Sequence, residues 1–467
     1  MPETLVGTSL SYYLIAFDAN GNEREKNGKL ISQIVLDVLS KSRQPEQPIT
    51  DVFLMSHGWQ GDVPAAIDQY DKWIRAMGKN RADIQKMQQL RPGFRPLIIG
   101  LHWPSKPWGD EDLNALSPNK TIVSFDTTDN SQEELINQYS QRISDTEAAK
   151  EALRTIFTAA EEYDVAPDTL PPEVYAACQV LIKEASLSSE GEDADGWSEN
   201  ESLNLDPDGV YQTTLAEESK DVSFGIGDDV KSAADAFLNI PRLLSFWKMK
   251  DRARKIGQTS GFNLLKSLQQ VTDKTVGFHL MGHSFGCIFV SATVAGTQNS
   301  KLVRPVNSLV LIQGALSLWS FCSNVPHRNN VPGYFRSIIT EGKVAGPIVT
   351  TQSKHDKAVK NAYPMAGTLG ILGGQDIDFS VDTPSYPGVG GIGCYGIQGD
   401  GLEIINYPKG MLTLEESYDF KPGKIYNLES SKYIVVPPSF LDIFMGAHNA
   451  IDKPEVAHAV WSAAFGS

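Results

Sequence analysis

Cysteine is scarce in this sequence of 467 residues, which contains only Cys178, Cys287, Cys322 and Cys394. Four scattered cysteines are too few for a disulfide framework. None of them forms a Cys-x-x-Cys pair, so the pattern does not indicate a metal site either. We therefore predict a fold that is stabilised by a hydrophobic core rather than by covalent or metal cross-links.

Basic residues are outnumbered, with 41 Lys and Arg against 57 Asp and Glu and a formal net charge of −16. Nucleic acids and anionic membranes are bound through clustered basic residues, so neither is expected as a main partner. The negative charge is concentrated between Ser186 and Asp235, a segment that contains fourteen acidic residues and two lysines. The rest of the chain is close to neutral.

Long apolar runs are absent, and none reaches the roughly 18 residues that a membrane-spanning helix needs. The segment from Met1 to Phe17 also lacks a basic stretch followed by an apolar one, so no secretory signal is predicted. We expect a cytoplasmic protein without stable membrane insertion, although removal of a signal peptide would leave the same sequence.

Short apolar runs alternate with helix-period segments along most of the chain. The runs cover residues 12–17, 52–55, 96–101, 276–281, 308–312 and 347–351, and a last one lies between 424 and 436. Such runs are typical of a parallel sheet that helices cover on both faces. The fold class predicted is therefore α/β.

This alternation stops between about Lys106 and Gly257, where no strand is predicted. Helical patterns at 132–163, 172–185 and 233–255 flank an acidic loop at about 186–235, whose composition indicates mobility. We expect a core formed by residues 1–106 and 258–467, with 107–257 as a helical insertion. The insertion is interpreted as a cap over an active site, and the alternative is a peripheral decoration.

The strongest motif is Gly282-His283-Ser284-Phe285-Gly286, a G-x-S-x-G sequence between an apolar strand and a helix. A serine in such a position lies on a tight, strained turn, and the residues two before and two after it must be small. The turn exposes the hydroxyl at the N-terminus of a helix, whose dipole favours negative charge. We predict that Ser284 is a nucleophile rather than part of an ordinary glycine-flanked turn.

A serine nucleophile requires donors for the oxyanion that forms in acyl transfer. One donor is expected to be the backbone N–H of Phe285, directly after the nucleophile, and the second the backbone N–H of Trp59. Trp59 follows the earlier strand in Ser56-His57-Gly58-Trp59, where glycine lets the backbone turn. His57 is interpreted as a brace for this loop rather than as a catalytic base.

Three motifs together resemble the α/β-hydrolases: a strand entering His57-Gly58-Trp59, a strand ending in Trp103-Pro104-Ser105, and the Gly-His-Ser-x-Gly sequence. The Trp-Pro-Ser motif is similar to a branch of bacterial and fungal members. The resemblance covers about residues 10–106 and 258–465 and leaves out the insertion. It implies an eight-stranded, mostly parallel sheet and a Ser–acid–His triad in that chain order.

Within this order the acid is expected after a strand downstream of Ser284, and Asp356 follows the strand at 347–351. A carboxylate there fixes the tautomer of the triad histidine and stabilises its imidazolium. An alternative role for Asp356 is that of a helix N-cap. The competing candidates for the acid lie in the glycine-rich stretch 367–401, which we expect to be irregular, and are Asp376, Asp378 and Asp382.

The histidine is expected after the last strand, and His448 in Gly446-Ala447-His448-Asn449 fits that position. Its rival His458 lies in an apolar pattern typical of a helix packed on the core. His279 is interpreted as a hydrogen-bonded core residue.

The function predicted is hydrolysis of a carboxylic ester through an acyl-enzyme, which requires neither a cofactor nor a metal. Trp103 and His57 are the candidate substrate-binding residues, and the expected partner is a small ester or acyl compound. Lipid esters, thioesters and amides are alternative substrates on the same fold. A non-catalytic binding protein of this fold is the alternative from another class.

Overall fold

The computed structural model describes residues 2–42, 48–58, 63–105, 132–163, 166–185, 206–218, 233–326, 328, 330–356, 358–362, 386, 390–435 and 447–466. Its strands are β1 (Glu3–Thr4), β2 (Ser11–Ala16), β3 (Asp51–Ser56), β4 (Pro96–His102), β5 (Gly277–His283), β6 (Ser308–Ile312), β7 (Ile348–Gln352), β8 (Ile404–Asn406) and β9 (Ile425–Glu429). They form one sheet in the order β1-β2-β4-β3-β5-β6-β7-β9-β8.

The helices before the nucleophile motif are α1 (Ile31–Lys41), α2 (Val63–Lys79), α3 (Arg81–Leu90), α4 (Gln132–Ile143), α5 (Glu147–Glu162), α6 (Pro172–Ala185), α7 (Pro207–Glu218), α8 (Ala233–Ile256) and α9 (Phe262–Val271). Those after it are α10 (Phe285–Ala295), α11 (Arg336–Thr340), α12 (Ile392–Tyr395) and α13 (Pro454–Phe465). A π-helical turn, Gly257–Gly261, connects α8 to α9.

The sheet is mostly parallel. Only β1 and β2 pair in antiparallel direction, and all the other neighbouring strands described pair in parallel. The prediction of a mostly parallel α/β fold is therefore confirmed. The prediction of eight strands is wrong, because the described residues form nine. The two strands without an apolar run in the sequence are β1 and β8, of two and three residues. Segments that short carry no readable periodicity.

Side chains of the central strands alternate between two hydrophobic clusters, one on each face of the sheet. In β3, Val52 and Leu54 join the cluster that contains α10, whereas Phe53 and Met55 join the one that contains α2 and α13. Because strand residues point alternately to opposite faces, a strand covered on both sides is apolar throughout. This explains why β3 appears in the sequence as a continuous apolar run.

A third hydrophobic cluster is formed by α4 to α8. Helix α8 connects it to the sheet, because Phe237 belongs to the third cluster while Met249 and Ala253 belong to the cluster around α10. Arg252 donates a hydrogen bond to the carbonyl oxygen of Pro104, at 3.1 Å. The helical segment is therefore attached close to the carboxyl end of β4.

Two segments that were predicted to be irregular contain helices. Pro207–Glu218, within the acidic segment, forms α7, and Ile392–Tyr395, within the glycine-rich stretch, forms α12. Burial of one side chain accounts for α7, since the Tyr211 ring stacks on Phe237 at 5.7 Å and its hydroxyl bonds the Pro167 carbonyl oxygen. The rest of the acidic segment, 186–205 and 219–232, lies outside the described residues.

The four cysteines are buried as free thiols. Burial raises the pKa of the Cys178 thiol to about 12 and that of Cys287 well above its usual value. Both therefore remain protonated at neutral pH and are poor nucleophiles. In the described part of the chain, no helix is long and apolar enough to cross a membrane.

Candidate active site

The order of the strands reverses between β3 and β5. These strands are neighbours in the sheet, but the helices that follow them, α2 and α10, pack on opposite faces. In open α/β sheets a crevice forms at such a reversal, at the carboxyl ends of the strands. Gly58 follows β3 and Ser284 follows β5, so both lie at this position.

Ser284 has strained backbone angles, with φ 56° and ψ −124°. A non-glycine residue in this region costs about 1–3 kcal/mol and persists only where its surroundings enforce it. The Ser284 N–H donates to the carbonyl of Ile312 at 3.2 Å, and its carbonyl accepts from the amides of Cys287 and Ala315 at 3.1 and 3.2 Å. Three backbone hydrogen bonds therefore hold the serine on the strained turn between β5 and α10.

The two glycines of the motif lie where the backbone is most crowded. A Cβ atom on Gly282 would be 2.6 Å from the amide nitrogen of Cys287. One on Gly286 would be 2.5 Å from the carbonyl oxygen of His57. Gly282 thus allows α10 to lie close to the end of β5, and Gly286 allows α10 to lie close to the end of β3.

The loop after β3 directly contacts the nucleophile motif. A Cβ atom on Gly58 would be 2.6 Å from the Cβ of Ser284 and 3.2 Å from the carbonyl oxygen of His283. Trp59, whose backbone N–H is the second predicted oxyanion donor, lies outside the described residues. Phe285, whose N–H is the first, begins α10 and buries its ring in the core.

For the ester hydrolysis predicted from the sequence, we expect Gly58→Ala to lower turnover by about 100-fold, because a displacement of reacting groups by about 1 Å costs that much. The added methyl group must push either Ser284 or the β3 loop aside. Steady-state kinetics beside a thermal melt would measure this. Gly28→Ala is the control, since Gly28 has open space around its Cβ position and only a positive φ of 70°. Equal turnover in the two variants would contradict the expectation.

Asp356 and His448 meet at the same edge of the sheet. Asp356 has no solvent-exposed surface and follows β7. The Nδ1 of His448 lies 2.8 Å from Oδ2 of Asp356, and Oδ1 accepts the backbone N–H of Val359 at 2.9 Å. Since an ionised carboxylate only accepts hydrogen bonds, Nδ1 carries the proton. In the neutral ring Nε2 is then the nitrogen that can accept a proton.

His283 connects the nucleophile motif to the histidine loop. Its ring lies 4.8 Å from the ring of His448, and its Nε2 donates to the backbone carbonyl of His448 at 2.9 Å. Nδ1 accepts from the Gln69 amide at 2.9 Å. Burial lowers the pKa of His283 well below its usual value, and the neighbouring His448 lowers it further. His283, the residue directly before Ser284, is therefore a neutral ring that holds the backbone of His448 close to the nucleophile motif.

His57 and Trp103 form a buried stack under the β3 loop. The rings of His57 and Trp103 are nearly parallel at 5.6 Å, and Trp103 also stacks on Phe289. His57 Nδ1 donates to the carbonyl of Gly58 at 2.9 Å, and Nε2 contacts His102 Nδ1 at 3.0 Å. These contacts brace the loop that touches Ser284. Both side chains are completely buried and support the loop. Their role in substrate binding stays a prediction.

His458, the rival of His448, lies in α13 among core residues. Its Nδ1 is 2.8 Å from Oδ1 of Asp83, and its Nε2 is 3.0 Å from the carbonyl oxygen of Glu416. His458 is thus held at both ring nitrogens, and its contact with the buried Asp83 joins α13 to α3.

We expect His458→Ala to lower the free energy of unfolding by about 1–3 kcal/mol, because it leaves the buried Asp83 carboxyl without its hydrogen bond to His458. Turnover by the folded fraction should not change. Urea denaturation and steady-state kinetics measure the two effects. Combining His458→Ala with Asp83→Asn should recover part of the stability. A catalytic loss in a fully folded His458→Ala variant would instead make His458 the triad candidate.

A second contact of Ser, His and Asp lies at the amino-terminal end of the strands. His279 Nδ1 is 2.9 Å from the hydroxyl of Ser308, and its Nε2 is 3.1 Å from Asp51. Arg91 also bonds Asp51, at 2.5 Å. These strand residues are buried inside the sheet, and burial lowers the pKa of His279. Ser308 has no positive φ, and both ring nitrogens of His279 are hydrogen-bonded, as predicted for a core residue.

One residue of the site carries no sequence motif. Gln313 follows β6 and donates a hydrogen bond to Asp356 Oδ2 at 2.8 Å. Its position after a strand was the single available signal, because glutamine belongs to no catalytic motif. The competing acids Asp376, Asp378 and Asp382 lie outside the described residues.

Comparisons with known protein families, with curated proteins and with solved structures find no match to this chain.

Proposed function

We propose that this chain is a serine hydrolase of the α/β-hydrolase fold that cleaves a carboxylic ester through an acyl-enzyme. Ser284 is the nucleophile, His448 the general base and acid, and Asp356 the residue that orients the histidine. The backbone N–H groups of Trp59 and Phe285 are the proposed oxyanion donors.

In the proposed mechanism the Ser284 hydroxyl attacks the ester carbonyl while its proton passes to Nε2 of His448. The tetrahedral oxyanion is stabilised by the two amides. It collapses with loss of the alcohol, which takes the proton from His448. A water molecule then attacks the acyl-enzyme, gives a proton to His448, and releases the carboxylic acid as Ser284 regains its hydrogen.

The observation that carries this proposal is the buried hydrogen bond between Asp356 and His448, whose ring lies 4.8 Å from the ring of His283, the residue before the strained Ser284. The residues come from separate loops at the carboxyl edge of one sheet. The bond leaves Nε2 as the nitrogen that takes up a proton. Ser308, the serine of the second contact, is not among the described residues with a positive φ.

The helices α4 to α8 are proposed to form a cap over this site. Support comes from α8, whose C-terminal half packs against the helix that follows Ser284 and bonds the backbone at Pro104. A cap attached there excludes water and shapes the acyl pocket. Phe237 packs within the helical cluster, so substitutions at Phe237 should change the stability of this cluster more than the choice of substrate.

A serine-directed phosphonate probe tests the proposed function. Mass spectrometry of the treated wild-type chain should show one adduct, on the peptide that contains Ser284, and Ser284→Ala should show none. A panel of ester, thioester and amide substrates then defines the acyl class. A chain that takes up no probe and hydrolyses none of these substrates would favour a non-catalytic binding protein instead.

A further inference from the structure

Gln313 occupies an unusual position at the end of β6. Its φ of 44° lies in the left-handed region, which is rare for residues other than glycine. Its side chain has no exposed surface. A strained backbone and a buried polar side chain both cost free energy, so their surroundings must compensate both.

The compensation is a closed set of hydrogen bonds. The Gln313 amide nitrogen Nε2 donates to Asp356 Oδ2 at 2.8 Å and to the carbonyl of Gly393 at 3.1 Å. Its Oε1 accepts the hydroxyl of Thr351 at 2.9 Å. These partners define which side of the amide is oxygen, since the carboxylate and the carbonyl accept and the hydroxyl donates. The amide is held in one orientation.

We propose that Gln313 is a positioning residue, which pins the Asp356 carboxylate against His448 in the reaction proposed above. The assignment rests on that proposed function. Gln313 and His448 donate to the same oxygen, Oδ2, while the Val359 amide bonds the other. The carboxylate therefore cannot rotate without breaking a hydrogen bond, and His448 meets it in a single geometry.

A neutral amide suits this task because it adds no charge next to the histidine. An N–H donor stabilises the ionised carboxylate, whereas a cation in its place would also repel the imidazolium that forms during catalysis. Among the residues that the structure describes, the titratable groups that face this pair include His283, from the end of β5, and Cys394, whose thiol bonds the Asp356 carbonyl. Burial keeps His283 neutral.

The first test compares Gln313→Ala and Gln313→Glu with wild type in the full chain. Gln313→Ala should lower kcat by up to about 100-fold with little change in KM, because His448 loses its fixed geometry. Gln313→Glu keeps the shape but adds an acid next to Asp356. Once both acids ionise, the extra negative charge should retain a proton on His448. The acid limb of the pH–kcat/KM profile should then move upward by about one pH unit.

Gln269 offers a matched control at the opposite end of the sheet. It is a buried glutamine whose amide nitrogen bonds the Arg304 carbonyl and whose oxygen accepts the Val303 amide. Gln269→Glu should lower the melting temperature without moving the pH profile. An unmoved profile in Gln313→Glu, together with wild-type kcat in Gln313→Ala, would overturn the proposal.

A second readout does not depend on hydrolysis. The downfield proton resonance of His448 Nδ1–H, assigned by its loss in His448→Gln, should shift and exchange faster with water in Gln313→Ala. An identical resonance in Gln313→Ala and wild type would overturn the positioning role. If wild type shows no turnover that depends on Ser284, the proposed hydrolase function fails, and this resonance still decides the role of Gln313.

Discussion

Ser284→Ala is expected to lower ester turnover by about 10⁴-fold or more. The variant has no oxygen to form the acyl-enzyme, so the remaining rate comes from substrate binding and the oxyanion donors alone. Stability should change little, because the strained turn is held by backbone hydrogen bonds that Ser284 donates to Ile312 and accepts from Cys287 and Ala315. Burst-phase kinetics with a chromogenic ester, beside a thermal melt, measure both quantities.

Ser291→Ala is the control for this experiment. Ser291 lies in α10, about two turns after Ser284, and is also buried. Its replacement should leave turnover unchanged. Ester hydrolysis by Ser284→Ala at a rate near wild type would exclude Ser284 as the nucleophile.

The position of Ser284 was predictable because the motif itself and the strand and helix patterns on either side of it indicate the same turn. A buried strand, a tight turn and an apolar helix are each visible in the sequence. Glycine is required at 282, where α10 crowds the end of β5, and at 286, where α10 approaches the end of β3. Asp356 and His448 were predictable from their place after strands, since parallel strands end at a common edge. Their mutual distance was not, because it depends on how the loops after β7 and β9 fold back.

The strands β1 and β8 could not be predicted, since two or three residues show no alternation. Gln313 could not be predicted either. Its role depends on the pairing of β6 with β7, which brings Thr351 and Asp356 within hydrogen-bonding distance of its amide. Helix α7 was hidden by the acidic composition around it, because its stability comes from the contact of Tyr211 with Phe237.

Three of the buried histidines differ in their hydrogen-bond partners. His448 bonds one carboxylate oxygen through Nδ1, whereas His458 and His279 are bonded at both ring nitrogens. A ring bonded on both sides within a helix or strand stabilises the fold. In the proposed mechanism the His448 ring, held by Asp356 at Nδ1, takes up the serine proton at Nε2.

Asp356→Asn and His448→Ala are each expected to lower kcat by about 10⁴-fold, because the two residues act as a unit with Ser284. His448→Ala removes the proton acceptor. Asp356→Asn offers His448 an amide that no longer selects the Nδ1–H tautomer, so Nε2 ceases to be the acceptor. The double variant should be little slower than His448→Ala alone. Single-turnover kinetics separate the loss in acylation from any change in binding.

Asp83→Asn is the matched control, because Asp83 is also a buried carboxylate bonded to Nδ1 of a histidine, here His458. Removing its charge should reduce stability and leave kcat of the folded protein unchanged. Additive losses in the double variant would show that Asp356 and His448 act independently. Full activity in His448→Ala would remove His448 from the proposed triad. The contrast between two equally buried Asp–His pairs thus separates catalytic loss from general destabilisation.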